Sequence, residues 1–146
     1  MLTIGYSQET DVLSATDWFQ KGYNAYVNKE YDKAISFYLK AIELDPDYAD
    51  AYVNLGVTYK NQGNNIKAIE SYERAIEVDP DDADAYYNLG LAYDNQGKYT
   101  KAIESYEKAI ELDPDHASAY YNLGIAYSNQ GNLTKAIQLY EKAIEL

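Results

Sequence analysis

AYYNLGLAYDNQG, residues 85–97, has a near copy thirty-four residues earlier, AYVNLGVTYKNQG at 51–63, and another thirty-four later, AYYNLGIAYSNQG at 119–131. Recurrence at a fixed period in the range of about 20–50 residues marks an architecture built by stacking one small unit. The residues after each copy recur in step: KAIESYERAIEVDP from Lys67, KAIESYEKAIELDP from Lys101 and KAIQLYEKAIEL from Lys135. A weaker first copy, WFQKGYNAYVNKEYDKAISFYLKAIELDP, runs from Trp18. The chain therefore divides into a leader over 1–14, expected to be irregular, and four units over 15–48, 49–82, 83–116 and 117–146. The fourth stops four residues short of a full period, which predicts a last unit with no capping helix.

Within a unit the apolar pattern is helical. Tyr52, Leu55, Val57 and Tyr59 fall near one stripe, and Ile66, Ile69, Tyr72, Ala75 and Ile76 recur at steps of three and four. No segment alternates with period two for the length of a strand. The breaks sit where helices end. Gly63, Gly97 and Gly131 offer the left-handed conformation that closes a helix. Asp-Pro at Pro46, Pro80 and Pro114 stops the second helix. The acid after each proline (Asp47, Asp81, Asp115) is the expected N-cap of the next helix. Each unit thus reads as two antiparallel helices. A glycine inside the first helix (Gly22, Gly56, Gly90, Gly124) costs roughly 1 kcal/mol against alanine. Close approach of the second helix at Ala34, Ala68, Ala102 and Ala136 is the expected compensation. One such pair buries too little to stand alone, so the pairs must share a continuous core.

Composition excludes several functions. The chain has 146 residues with 47% apolar and 14% aromatic side chains, eighteen of them tyrosine, which argues against disorder. It has no cysteine and one histidine, so thiolate metal sites, disulfide scaffolds and paired-imidazole sites are excluded, and no cofactor is expected. Twelve basic against twenty-four acidic residues give a net charge of −12. Such a chain repels phosphate backbones and anionic membrane surfaces, so neither nucleic acid nor membrane is expected as a partner. A neutral or basic polypeptide is the partner its charge favours. With no secretory signal and no membrane span in the sequence, the expected location is cytoplasmic.

The units are similar to the tetratricopeptide repeat. That family sets an aromatic, Leu-Gly, Tyr, Ala, an aromatic, Ala and Pro at fixed offsets. Unit two matches at Tyr52, Leu55, Gly56, Tyr59, Ala68, Tyr72, Ala75 and Pro80, and unit three at Tyr86, Leu89, Gly90, Tyr93, Ala102, Tyr106, Ala109 and Pro114. Unit four matches at Tyr120, Leu123, Gly124, Tyr127, Ala136, Tyr140 and Ala143. Unit one matches at Trp18, Gly22, Ala34, Tyr38, Ala41 and Pro46, but carries Lys21 for the Leu, Ala25 for the Tyr and Lys29 for the loop Gly. Asn65 stands where an aromatic is usual. The resemblance implies an all-α, right-handed superhelical solenoid whose first helices line a concave groove. It further implies a module that binds peptides, helices or proteins and performs no chemistry.

Carried over residue by residue, the family's groove positions fall on Phe19, Tyr23, Tyr26 and Val27, then Val53, Val57, Lys60 and Asn61. They continue at Tyr87, Leu91, Asp94 and Asn95, then Tyr121, Ile125, Ser128 and Asn129. This face excludes Leu55, Gly56 and Tyr59, which the interior needs. Its apolar members therefore mark either a binding surface or residues half-buried by neighbouring units. Gln20, Asn54, Asn88 and Asn122 form a ladder, one per unit. An amide that both donates and accepts can bond the backbone of an extended peptide, or it can bond within its own helix pair.

Other sites fail. A chaperone-tail clamp of Lys and Asn, then Asn, then Lys and Arg would fall on Phe19, Tyr23, Asn54, Asp84 and Asn88, where only Asn54 fits, and one unit later on Val53, Val57, Asn88, Ser118 and Asn122, no better. Asp79, Asp81, Asp82 and Asp84 do not make a calcium loop, because the sixth and twelfth places hold Asp84 and Gly90. They read as a capped, solvated turn. His116, alone in the third inter-unit turn, reads as a surface residue, and nothing builds a nucleophile around it. The main expectation is a non-enzymatic scaffold holding a peptide or helix in its groove. The alternatives are self-assembly, as a homo-oligomer through the uncapped last helix at Ile137, Tyr140 and Ile144, and a recruiting domain cut from a larger enzyme.

Overall fold

Ser14 opens the first helix with a reciprocal cap. Its hydroxyl accepts the Asp17 backbone N–H at 3.1 Å, and the Asp17 carboxylate accepts the Ser14 N–H at 2.8 Å. The hydrogen bonds also hold the Asp17 carboxyl below the usual carboxylate range, the backbone one most strongly. From there the computed structural model, which describes residues 12–146, runs through eight helices. They are α1 Ala15–Val27, α2 Tyr31–Leu44, α3 Ala49–Asn61, α4 Asn65–Val78, α5 Ala83–Asn95, α6 Tyr99–Leu112, α7 Ala117–Asn129 and α8 Leu133–Glu145. No strand occurs among the described residues. The greater part of the leader, residues 1–11, lies outside them.

Each helix packs on the next, and the first helices also meet across units, α1 with α3, α3 with α5 and α5 with α7. The second helices α2, α4, α6 and α8 do not meet one another. The array therefore closes on the side of the first helices and fans open on the other, which makes a solenoid with α1, α3, α5 and α7 along its inner side.

The core is a ladder of alanines and tyrosines. Ala34, Ala68 and Ala102 are fully buried, and so are the rings of Tyr38, Tyr72 and Tyr106. The helical glycines answer to the tyrosines, not to the alanines as their pairing in sequence suggested. A Cβ added at Gly22, Gly56, Gly90 or Gly124 would lie 2.5–2.6 Å from the ring of Tyr38, Tyr72, Tyr106 or Tyr140. An aromatic ring against the first helix needs more clearance than an alanine methyl, so the large residue of the pair sets the requirement. Tyrosines on the first helices tie adjacent helices together. Lys67, Lys101 and Lys135 place Nζ 5.4, 5.3 and 5.8 Å from the ring centres of Tyr59, Tyr93 and Tyr127. The hydroxyls of Tyr93 and Tyr127 donate to Glu73 and Glu107 of the preceding unit at 3.1 and 3.0 Å. Ile66, by contrast, is 66% exposed and lies outside the buried stripe that its spacing predicts.

The proline turns depart from expectation. The carboxylates before the prolines, Asp45, Asp79 and Asp113, accept the N–H of Asp47, Asp81 and Asp115 at 3.1 Å each. Asp47, Asp81 and Asp115 are thus turn residues and not caps. With φ of the proline fixed, the chain needs one further residue to swing into the helix, and the N-caps are Tyr48, Asp82 and His116. Asp82 accepts from the N–H groups of Asp84 and Ala85, and His116 from that of Ala119, while Tyr48 offers no side-chain cap.

Between the helices of a pair, Gly63, Gly97 and Gly131 adopt φ of 79°, 70° and 84°, and Lys29 holds the same place in unit one at 61°. A side chain with a Cβ is strained there by about 1–2 kcal/mol. Lys29→Gly is expected to stabilise the protein by about 1 kcal/mol, raising Tm by about 3 °C. Thermal unfolding checks this, and an unchanged or lower Tm would contradict it.

Candidate functional site: the inner face of the solenoid

The thirty-four-residue period sets the inner face out in rows, one residue per unit. Phe19, Val53, Tyr87 and Tyr121 make the first row. Tyr23, Val57, Leu91 and Ile125 make the second, Tyr26, Lys60, Asp94 and Ser128 the third, and Val27, Asn61, Asn95 and Asn129 the fourth. Steps of four and three along each helix bring these rows to one face.

Two members of the first row are overlaid by the residue that caps the following first helix. The Tyr48 ring centre lies 5.0 Å from that of Phe19, and the His116 ring 4.8 Å from that of Tyr87. Phe19 and Tyr87 are accordingly half-buried, with Tyr38 and Tyr106 beneath them at 5.7 and 6.0 Å. Tyr121 has Tyr140 at 5.6 Å, no ring overlies it among the described residues, and it is 54% exposed. There a cavity of about 510 Å³ opens between Tyr87, Ser118, Tyr121, Asn122, Tyr140 and Ile144.

His116 is not the surface residue its isolation in sequence implied. Its side chain is 12% exposed, Nδ1 accepts the Ala119 N–H at 3.2 Å, Nε2 lies 3.2 Å from an Asp84 carboxylate oxygen, and the ring rests on Tyr87. Helix α7 starts there, and the imidazole supplies an acceptor to its first turn. Its alignment with the caps at Tyr48 and Asp82 was the sequence signal.

The second and fourth rows are more open. Tyr23 and Val27 are 45% and 58% exposed, Asn61, Asn95 and Asn129 are exposed, and Val57, Leu91 and Ile125 are half-buried. In the third row the Tyr26 hydroxyl accepts from the Asn61 side-chain amide at 2.8 Å. Burial pulls the Lys60 ammonium below its usual pKa and pushes the Asp94 carboxyl above the usual range. Asp94 accepts the Tyr106 hydroxyl at 2.9 Å with one oxygen, while the other oxygen is buried without a partner.

The amide ladder bonds inward through its donors. Asn54, Asn88 and Asn122 donate to the carbonyls of Asp50, Asp84 and Ser118, four residues back on their own helices, at 2.9–3.0 Å. Asn122 also donates to the Tyr87 hydroxyl at 3.0 Å, and Gln20 donates to the Asn24 side chain at 3.1 Å. The side-chain oxygens of the three asparagines have no partner among the described residues. No group of three or more acidic or histidine side chains among the described residues is placed to hold a metal ion. The same residues contain no helix long and apolar enough to cross a membrane.

Comparison with known proteins bears on this geometry. The family description "TPR repeat" matches residues 24–63, 61–97 and 95–131, and "Tetratricopeptide repeat" matches 117–146. No curated protein sequence matches the chain significantly. Among solved structures, a crystal structure of MamA is 35% identical with a TM-score of 0.86, over 90% of this chain and 77% of that one. A MamA RS-1 ArsTM double mutant is 27% identical with a TM-score of 0.82, over 90% and 74% of the two chains. MamA 41-end from Desulfovibrio magneticus RS-1 is 28% identical with a TM-score of 0.83, over 91% and 75%. Proteins with such repeats are scaffolds that bind polypeptide partners, and the fold is typically non-catalytic. With four matching units, buried glycine–tyrosine pairs and first helices that converge on one inner face, the chain belongs to the tetratricopeptide repeat family and is a protein-interaction scaffold.

Proposed function

We propose that the inner face of α1, α3, α5 and α7 holds a polypeptide segment, extended or helical, and that the protein acts by holding it, without chemistry. The observation that carries this reading is the run of Tyr23, Val27, Val57, Leu91, Ile125 and Tyr121, which no element of the described fold covers fully. Val57 and Leu91 pack partly against the core, while Tyr23, Val27 and Tyr121 are 45%, 58% and 54% exposed, and exposed apolar stripes of this kind mark contact surfaces. Beside them, Asn54, Asn88 and Asn122 keep their side-chain oxygens free to accept backbone N–H groups at a regular interval. Their donors are committed to their own helices, so the ladder serves a ligand as an acceptor row. The charge of −12 favours a neutral or basic segment and disfavours nucleic acid. A cytoplasmic setting belongs to the same reading.

Tyr23 and Tyr121 are the residues to test, because Tyr87 also supports His116 and Asn122 and its loss would disturb the fold. Tyr23→Ala/Tyr121→Ala is expected to leave helicity and Tm unchanged. It should weaken the partner by about 2 kcal/mol, roughly thirtyfold. Capture with wild type and variant, compared by mass spectrometry and followed by titration of the recovered partner, measures it. Equal affinity for both proteins would remove the groove from the account.

A further inference from the structure

Because the second helices do not meet, the outer side of the solenoid opens into clefts, each floored by a first helix. Between α2 and α4 the floor is Tyr52, Leu55 and Tyr59 of α3, and a cavity of about 240 Å³ stands over them. One unit on, a cavity of about 280 Å³ stands over Tyr86, Leu89 and Tyr93 of α5, against α6. Both open at the same place in the repeat, where the second helix presents Ser71 in one and Ser105 in the other. Each serine donates its hydroxyl to its own helix, to the carbonyl of Lys67 at 2.8 Å or of Lys101 at 2.9 Å. The polar group is satisfied there and makes no demand on the cleft.

The other two units show what this position accepts. The residues matching Ser71 and Ser105 are Phe37 in α2 and Leu139 in α8. Phe37 lies against Trp18, the counterpart of Tyr52 and Tyr86, with ring centres 5.5 Å apart. Leu139 packs on the cluster that holds Leu123, the counterpart of Leu55 and Leu89. The same helix-pair frame thus seats a large apolar side chain at this place. With serine there, a Leu or Phe supplied from outside meets the same kind of floor. Charge sets what must flank it. Each cleft is lined by two cations and one carboxylate, Lys67 and Arg74 with Glu70, and Lys101 and Lys108 with Glu104, in a chain whose net charge is −12. Arg74 and Lys108 are paired with Glu77 and Glu111. Lys67 and Lys101 are exposed, lie over the rings of Tyr59 and Tyr93, and have no ion-pair partner among the described residues.

We propose that these two clefts are a second docking site, for an acidic polypeptide segment that seats a Leu or Phe side chain on the tyrosine-lined floor and brings a neighbouring carboxylate to Lys67 or Lys101. The clefts open on the side of the second helices, away from the inner face, so the proposal stands or falls independently of the peptide groove.

Titration of the full chain with acetyl-Glu-Phe-Glu-amide, followed by nuclear magnetic resonance, tests it. The peptide is expected to shift the backbone amides around Ser71 and Ser105 with a Kd of about 1 mM. Acetyl-Glu-Ala-Glu-amide, which lacks the ring, and acetyl-Lys-Phe-Lys-amide, which reverses the charge, should each bind at least about tenfold more weakly. Ser71→Leu/Ser105→Leu is expected to fill both clefts, keep or raise Tm and abolish the shifts. Should that variant lose helicity, Lys67→Glu/Lys101→Glu, at two exposed sites, is expected to turn the preference toward acetyl-Lys-Phe-Lys-amide. No shift with acetyl-Glu-Phe-Glu-amide at about 10 mM, shifts confined to the inner face, or no preference for it over the other two peptides would overturn the proposal. So would a folded Ser71→Leu/Ser105→Leu protein that binds as wild type does, or a charge-reversed protein that keeps the wild-type preference.

Discussion

Gly90→Ala is expected to destabilise the protein by about 2 kcal/mol, although alanine is the better helix former by about 1 kcal/mol. The added Cβ would sit 2.5 Å from Cε1 and 2.6 Å from Cδ1 of Tyr106. That ring has no exposed surface, and its hydroxyl is anchored on Asp94, so it cannot swing aside without breaking a buried hydrogen bond. The overlap therefore outweighs the gain in helix propensity. Two controls separate overlap from other effects of removing a glycine. At Gly97 nothing lies within 4 Å of an added Cβ, and the cost of Gly97→Ala comes only from φ of 70°, about 1 kcal/mol. Gly90→Ala combined with Tyr106→Leu should lose less than the sum of the two single changes, because the second removes the ring that the first strikes. Chemical denaturation of the four proteins measures the coupling, and strict additivity would show that the ring is not what excludes the methyl.

Tyr106→Phe and Tyr72→Phe are expected to act in opposite directions. Tyr106 donates to Asp94, and removing the hydroxyl leaves that buried carboxylate with no partner, a loss of about 2 kcal/mol. The Tyr72 hydroxyl is buried without a partner, and at the position matching Asp94 unit two carries Lys60. Its removal is expected to stabilise by about 1 kcal/mol. Urea unfolding of the two variants compares the signs directly, and equal losses would contradict the assignment. Asp94 adds a pH signature. Burial holds its carboxyl above the usual range, more than the Tyr106 hydroxyl pulls it down. A carboxyl raised on folding contributes stability that is present in acid, below its unfolded pKa, and lost as pH rises through its folded pKa. Asp94→Asn is thus expected to stabilise the protein at neutral pH, with the advantage shrinking as the solution is acidified.

The sequence carried the period, the helix pairs and the family, because each rests on local rules repeated four times. Glycine at the loop, proline past the second helix and apolar steps of three and four all act within a few residues of themselves. Where one residue departs from the repeat, the consequence was also legible: Lys29 in place of glycine meets the same left-handed turn. The inner face was legible as a set of positions, since any residue at a groove offset lands on that side of its helix.

What each inner-face residue does there was decided only by the stacked structure. Phe19 and Tyr87 share offsets with Tyr121, yet two are overlaid by Tyr48 and His116 and the third is 54% exposed, because cover comes from the residue that caps the following first helix. The same holds for the glycine–tyrosine contact, for His116 as cap and support of Tyr87, and for the inward donors of Asn54, Asn88 and Asn122. Chain-local preferences fix backbone direction, and so they can be read one segment at a time. Burial, pairing and clearance are properties of two surfaces at once, and they exist only after segments about thirty residues apart have come together.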